Sequence, residues 1–310
     1  VPLPAAGVYQ IELVAEDGQG PSVFANFPVY VGVAPPPVPA TAARPTGAPE
    51  SEAEAEATIF ALANQARQAA GRPPLEPLPA LAKIARQHSA DMAEHRFIAH
   101  VSPTTGAPAD RVRRANLGAM YVLENLGAAA SSREVHEGLM GSPGHRANIL
   151  DASATHLGVG VVRDPAPGGG IIVTQNFVAL AVPIDVAAAP PRVLEAINRA
   201  RAARRLPALR ADASLAALAQ RSAARFFQGK PKAEEVTARL NAEFSRETKG
   251  FRSARVLAAA VARLDDAVSP DDEAIFEAAA TAVGVGVAQG TRPDVGTNAL
   301  FVVLLFGHGK

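Results

Sequence analysis

Apolar and polar residues alternate with a period of two over residues 8–14 (Val-Tyr-Gln-Ile-Glu-Leu-Val) and again over parts of 23–33. Between them Glu16-Asp17-Gly18-Gln19-Gly20 carries turn chemistry, so the chain is expected to open on a β-hairpin. A hairpin alone is marginal in water. It should therefore pack on a neighbour or represent the last strands of an immunoglobulin-like sandwich. Prolines at 35–37, 39, 45 and 49 predict a semi-extended linker. From Glu50 the period becomes helical: Ile59, Leu62, Ala63 and Ala66 mark a helix that ends near Gly71, stopped by Arg72-Pro73-Pro74. Pro79 suits the first turn of a second helix running to about Arg96, with Leu81, Ile84, Ala85 and Met92 inward. A third short helix should begin near Pro108, Ser132 can cap a fourth, and Ser142-Pro143 opens a fifth. Two strands follow, 157–163 and 171–180, joined by a Gly/Pro-rich loop. Helices followed by a hairpin imply a layered α+β domain.

The pattern then repeats. Asn64, Arg67, Ala69, Pro73, Leu75, Leu81, Ala82 and Ala85 recur 134 residues later as Asn198, Arg201, Ala203, Pro207, Leu209, Leu215, Ala216 and Ala219. Gly158-Val-Gly-Val161 recurs 126 residues later as Gly284-Val-Gly-Val287. Alanine matches are cheap in so Ala-rich a chain, but Asn, Arg, Pro and Gly matches in preserved order indicate a duplicated domain with a slightly shorter second copy.

Length agrees, since 310 residues exceed what one hydrophobic core usually serves. Thirty basic and thirty acidic residues cancel, which argues against nucleic acid or an anionic membrane as partner. The absence of Cys excludes disulfides and thiolate metal sites. No run of about 18 uncharged apolar residues occurs, so no transmembrane segment is expected. Val1-Pro2-Leu3-Pro4 has no signal-peptide character, and the chain reads as a mature or trimmed form.

Three polar segments could do chemistry: His100-Val-Ser-Pro103 in a loop, Leu123-Glu124-Asn125 in a stretch too short and mixed to assign, and Ser142-Pro-Gly-His145-Arg-Ala-Asn148 at a helix start. The positive end of the helix dipole should keep His145 neutral near pH 7. Two His and a carboxylate meeting in a cleft would suit a divalent ion (Zn, Ca or Mg) or an acid–base pair. The plain alternative is a hydrogen-bonded cluster that ties loops to the core. The remaining candidates have structural readings. His88 is expected in a structural hydrogen bond, His95 at a helix C-terminus, His136 exposed, and His156 ahead of a strand. Asn64 and Arg67 should anchor the first helix to nearby loops. Arg111, Arg113 and Arg114 read as a solvated helix face, and Glu50, Glu52, Glu54 and Glu56 suit a helix N-terminus. Ser142 reads as a cap and not as a nucleophile, and neither it nor Ser102 lies in a Gly-x-Ser-x-Gly elbow.

These motifs in this order resemble the CAP superfamily (cysteine-rich secretory proteins, antigen 5, pathogenesis-related proteins; SCP domain), in its bacterial form. The resemblance rests on Asn64-Gln-Ala-Arg67, Gly71-Arg-Pro-Pro-Leu75, His100-x-Ser-Pro103, Glu124-Asn125, Ser142-Pro-Gly-His-Arg-x-Asn-Ile-Leu150, Gly158-Val-Gly160 and Thr174-Gln-x-Phe177. It implies an α-β-α sandwich CAP domain at 58–183 and a degenerate CAP-like domain at 184–310. Ahead of them lie a β segment at 1–34 and a Pro/Ala/Glu-rich linker with the helix start at 35–57. The family's cleft positions fall on His100, Glu124 and His145. Ile172 stands where eukaryotic relatives often carry a further His, and Ser142 near a second acid, so the four-residue eukaryotic site is not reproduced. In the second copy Ser269-Pro-Asp-Asp272-Glu aligns with the Ser142 segment, and the only His of that half is His308.

The resemblance implies a secreted or cell-envelope protein, extracellular or periplasmic. Its expected role is a non-catalytic binding module for a protein, cell-wall or lipid ligand, with a His/Glu cleft open to a divalent metal. A hydrolase or metal-dependent enzyme using His100, Glu124 and His145 is the alternative, and lipid or sterol binding a third. Fold analogy does not decide among them.

Overall fold

The computed structural model describes residues 5–17, 20–36, 50–166, 168–229, 231–248 and 250–309. They form two units, Val1–Leu117 with Val122–Val178, and Gly118–Tyr121 with Ala179–Lys310. The central residues of the expected first turn, 18 and 19, and the expected linker prolines from 37 to 49 lie outside the described residues.

The first unit opens on the antiparallel pair β1 (Gly7–Asp17) and β2 (Gly20–Val31), with a register shift at Leu13/Val14. These two strands are the whole of their sheet among the described residues. Helix α1 (Glu52–Ala69) begins with a capping box: Glu54 N–H donates to Ser51 Oγ at 3.2 Å, and Ser51 N–H to Glu54 Oε2 at 2.8 Å. It buries Ala55, Ile59, Ala63 and, unexpectedly for a cation, Arg67. A short strand β3 (Glu76–Pro77) leads into α2 (Pro79–His95), which has Pro at its first position and ends where Arg96 turns left-handed at φ 57°. Next come α3 (Pro108–Arg114), β4 (Val122–Ala129), α4 (Ser132–Gly141) and α5 (Pro143–Ile149). The unassigned Leu123-Glu124-Asn125 stretch is thus strand. Ser131, not Ser132, caps α4, whereas Ser142 and Pro143 start α5 as the pattern predicts. Strands β5 (His156–Arg163) and β6 (Ile171–Val178) complete a sheet of order β3-β5-β6-β4.

Alternation along these strands makes the layers. Val159, Val161, Val173 and Phe177 pack with Ile59, Leu139 and Ile149 on the α1/α4/α5 side. On the opposite side Gly158 and Gly160 lie against α2 so closely that a Cβ on either would overlap the helix backbone at Leu81–Ala82 or Ala85–Arg86. The Gly-x-Gly repeat is therefore a helix-to-strand packing device.

The second unit follows the same plan. Helix α6 (Ala189–Ala203), β7 (Arg210–Ala211), α7 (Ala213–Gly229), α8 (Ala233–Glu247), β8 (Phe251–Val261), β9 (Ala280–Arg292) and β10 (Gly296–Gly309) build a sheet of order β7-β9-β10-β8. Gly284 and Gly286 meet α7 as Gly158 and Gly160 meet α2. The anchors match at Nε and Nη1, while at Nη2 Arg67 alone finds a carbonyl, that of Ala154. Arg67 Nε donates to Pro73 O at 2.8 Å and Nη1 to Ile149 O and Asp151 O, both at 2.8 Å. Arg201 Nε donates to Pro207 O at 2.8 Å and Nη1 to Ile275 O at 2.7 Å and Glu277 O at 3.0 Å. Asn64 and Asn198 each exchange two hydrogen bonds with the backbone of a leucine, Leu75 and Leu209. The carbonyls of Ile275 and Glu277 lie 126 residues after those of Ile149 and Asp151, the same offset as the glycines, which sets Asp271, one position from Asp272, opposite His145. The copies differ where helices were replaced. The long α8 stands where the first copy has a loop and α3, and a 3-10 turn at Leu264–Ala267 follows β8 where α4 follows β4.

Two further sequence expectations need correction. Arg111 is buried, not part of a solvated face, and His136 is buried on α4 rather than exposed. In both cases the helix turns the residue inward beside an apolar neighbour, Val112 and Val135 respectively, a phase that helices of seven and ten residues leave undetermined in sequence.

Candidate functional site

The His100 loop leaves α2 at Arg96 and is tied to that helix by Asp91. Ser102 Oγ donates to Asp91 Oδ2, Thr104 Oγ1 to Oδ1 at 2.8 Å, and the Thr104 and Thr105 amides donate in turn to Ser102 Oγ. Burial pushes the Asp91 carboxyl pKa up, but the two hydroxyls, together with His95 and His88, outweigh it and hold the group below its ordinary value. Asp91 stays ionised and keeps the loop folded.

The loop then delivers His100 to β4, where its Nδ1 meets Glu124 Oε1 at 2.9 Å. The His100 side chain is 17% exposed and that of Glu124 only 2%. Arg111, from α3, closes the other side: Nη2 donates to Glu124 Oε2 at 2.5 Å, and Nη1 to His100 O at 3.1 Å and Gly106 O at 2.6 Å. An Arg–Glu–His chain results, with one carboxylate oxygen assigned to each neighbour. Sequence reasoning missed Arg111. The signal that could have found it is the carboxylate itself, since a Glu buried in a strand needs a cation nearby.

His145 joins through the next residues of β4. Asn125 Nδ2 donates to His145 O and to Gln175 Oε1, both at 3.1 Å, and its Oδ1 accepts from Asn148 Nδ2 at 2.9 Å. The His145 pKa is lowered, chiefly by burial and further by His100, against an opposing pull from Glu12. Neutrality expected from the helix dipole thus has burial as its main cause. Glu12, on β1, was also missed: its carboxylate accepts from Ser142 Oγ and from Gly144 N–H at 3.2 Å, so the hairpin supplies an acid beside His145. A groove of about 190 Å³ runs from His145 between β4 and α4, with Asn26 of the hairpin at its side.

The chemistry open to this arrangement is acid–base and hydrogen-bonding. His100 keeps Nε2 for a ligand, and its Nδ1 is oriented by Glu124. Neither serine is an activated nucleophile: Ser102 Oγ is committed to Asp91, and Ser142 Oγ to Glu12 and the α5 cap. The residues do not fit a divalent ion as they stand. Both Glu124 oxygens are engaged, one by a guanidinium that a cation would have to displace, and no three His, Cys, Asp or Glu side chains are grouped as ligands among the described residues.

Three further histidines of the first unit make structural contacts. His88 donates Nε2–H to Ala99 O at 3.0 Å, His95 pairs with Asp91, and His156 lies 3.6 Å from Glu76. In the second unit the sheet pairing puts Val256 and Leu257 where the first has Glu124 and Asn125, and Val303, Leu304 and Leu305 where it has Thr174, Gln175 and Asn176.

The model of the cysteine-rich secretory protein family (CAP) matches the chain twice, at residues 60–177 and 194–306. The uncharacterized protein YkwD of Bacillus subtilis is 37% identical over 134 residues, covering 43% of this chain and 50% of its own. The uncharacterized membrane protein YlbC of the same organism is 35% identical over 129 residues, covering 40% and 34%. The chain thus spans half the length or less of these curated relatives. An extracellular SCP-domain protein of Bacillus anthracis, solved at 1.5 Å, is 33% identical over 41% of each chain with a TM-score of 0.38. An outer surface protein of Borrelia burgdorferi is 17% identical over 43% of this chain and 98% of its own, with a TM-score of 0.39.

Proposed function

The chain belongs to the CAP family in both halves, and from that premise we propose that it is an extracellular or cell-envelope binding module whose first domain holds a polar ligand at His100, Glu124 and His145 without turning it over. The observation that carries this reading is the Arg111–Glu124–His100 chain, which spends the carboxylate on orientation and leaves His100 Nε2 and the His145 ring as hydrogen-bonding ends. Extracellular or envelope placement takes its support from the matching family model, which is that of cysteine-rich secretory proteins.

Titration of the full chain with Zn²⁺, Ca²⁺ and Mg²⁺, beside His100→Ala and His145→Ala, tests it. Weak binding, alike in all three proteins, is expected. Stoichiometric binding lost in both variants would instead give the cleft to a metal and revive the metal-dependent enzyme. A second reading, lipid or sterol binding, is favoured by a groove of about 440 Å³ in which Met92, Phe97, Ile98, Ala128 and Ile172 form an apolar lining beside the charged Arg96 and Asp164. Saturable uptake of a fluorescent fatty acid or sterol, abolished by Ile172→Gln, would select it.

A further inference from the structure

The second unit carries a polar cluster of its own at the end of its sheet. His308 lies two positions beyond Phe306 on β10 and so shares the face that packs on α6. Directly opposite it on the edge strand β8 stands Ser253, and Arg255 follows on the same face. Glu277, at the end of a 3-10 turn (Glu273–Phe276) ahead of β9, comes up beside Arg255 and His308.

The contacts run in one line. Arg255 Nη1 donates to Glu277 Oε1 at 2.7 Å, His308 Nε2 meets Glu277 Oε2 at 2.7 Å, and His308 Nδ1 meets Ser253 Oγ at 3.0 Å. Burial pushes the Glu277 carboxyl pKa up, but Arg255 and His308 outweigh it and hold the group below its ordinary value. An ionised carboxylate only accepts, so in the neutral ring Nε2 carries the proton and Nδ1 accepts from the Ser253 hydroxyl. Carboxylate, imidazole and hydroxyl in that order activate a serine, whichever ring nitrogen faces which neighbour. Ser253 is exposed, whereas the His308 and Glu277 side chains are 16% and 27% exposed, so the hydroxyl is reachable and its base is sheltered. Arg255, half exposed, sets a cation on the same face, where an oxyanion formed at Ser253 would be stabilised.

The line is the second copy's own. By the sheet pairing Ser253, Arg255 and His308 correspond to Tyr121, Leu123 and Ala179. It shares no residue with the His100, Glu124 and His145 site and stands whether or not that site binds a ligand.

We propose that Ser253 is an acyl-accepting nucleophile for small carboxylic esters, with His308 as its base and Glu277 positioning the ring. Ser253 Oγ bonds to the ester carbonyl carbon as its proton passes to His308 Nδ1. The bond to the alcohol oxygen then breaks, and the alcohol leaves with that proton. Water repeats the step on the acyl-serine, so ester and water become acid and alcohol and the hydroxyl is restored. An exposed position on an edge strand gives a long acyl chain little to bury against, so the acyl group is acetyl-sized.

The test treats the full chain with p-nitrophenyl acetate and reads nitrophenolate release and, after an acid quench, the acetylated peptide by mass spectrometry. Acetyl should appear on Ser253 ahead of any other side chain. Ser253→Ala, at an exposed position that should leave β9 and β10 hydrogen exchange unchanged, should abolish it. His308→Gln should slow release by about 100-fold. Glu277→Ala should slow it by about tenfold and, in nitrogen NMR, redistribute the His308 proton between its two ring nitrogens. Release that survives Ser253→Ala would make the imidazole the nucleophile. Release unchanged in His308→Gln, or acetyl spread over the lysines without preference for Ser253, would leave the serine an ordinary one. Each of these results overturns the proposal.

Discussion

Replacing Arg111 with Met tests the centre of the candidate site, because the two readings of this residue predict different magnitudes. A solvated arginine on a helix face would cost within about 0.5 kcal/mol. The structure instead gives Arg111 a 2.5 Å ion pair to a carboxylate whose side chain is 2% exposed, and hydrogen bonds to the carbonyls of His100 and Gly106. Met fills much of the volume but strands Glu124 with His100 alone, and an uncompensated buried charge costs about 3–5 kcal/mol. Glu124→Gln in the same background removes the stranded charge, so the double variant should recover part of the loss. The non-additivity should reach about 1.5 kcal/mol or more. With two domains in one chain a single melting curve is ambiguous. Hydrogen exchange resolves them, with β5 and β6 amides reporting the first domain and β9 and β10 amides serving as internal control. Protection should fall in the first pair of strands only. A loss below about 1 kcal/mol there, or additive single variants, would refute the Arg111–Glu124–His100 chain.

The buried, neutral His88 makes stability pH-dependent with a definite sign. An unfolded His takes up a proton below about pH 6.5. The folded residue, its pKa lowered by burial, takes it up only at lower pH. The unfolded state therefore binds more protons within that window, and stability falls on acidification by up to about 1.4 kcal/mol per pH unit from this residue. Hydrogen exchange of the β5 and β6 amides between about pH 7.5 and 5.5 should show the fall, and His88→Gln should reduce it, the rest coming from His136, His145 and His156, whose pKa values burial also lowers; an unchanged slope would contradict the assignment. Gly160→Ala and Gly286→Ala each drive a methyl into a helix backbone and should cost about 1–3 kcal/mol or more, each in its own domain by hydrogen exchange. A silent substitution at either position would mean that the helix can retreat.

Residues that act on their own neighbourhood were legible in sequence. Pro79, Ser142-Pro143 and the Gly-x-Gly pairs announce helix starts and a close approach because their effect is local or steric. The duplication was legible because Arg67 and Arg201 have backbone acceptors, and backbone geometry survives drift in side chains. What pairs across long loops was not. The guanidinium of Arg111 reaches a carboxylate 13 positions on, and Glu12 a helix cap 130 positions on, with no periodicity to reveal either. His100 and Glu124 were found by resemblance, while spacing alone left a polar cluster and a catalytic pair equally open.

The second domain explains why the first keeps its polar interior. By the repeat offset and the sheet pairing, His88, Ser89 and Asp91 correspond to Ser222, Ala223 and Arg225, while Glu124, Asn125, Thr174, Gln175 and Asn176 correspond to Val256, Leu257, Val303, Leu304 and Leu305. The replacement is nearly wholesale, and physics favours that outcome: a partly satisfied polar network is worse than none, so losing one member exposes the rest to replacement. Val303, Leu304 and Leu305 are fully buried and well packed, so the sheet tolerates an apolar centre. In the first domain Asn176 is as deeply buried, yet neither its amide nitrogen nor its oxygen has a partner, and Gln175 Nε2 has none either. The apolar version is thus available to this fold, and the polar version carries unsatisfied groups that the apolar one avoids. Stability alone would have erased the network in both copies. The proposed polar ligand of the Arg111–Glu124–His100 arrangement would account for its persistence in one copy.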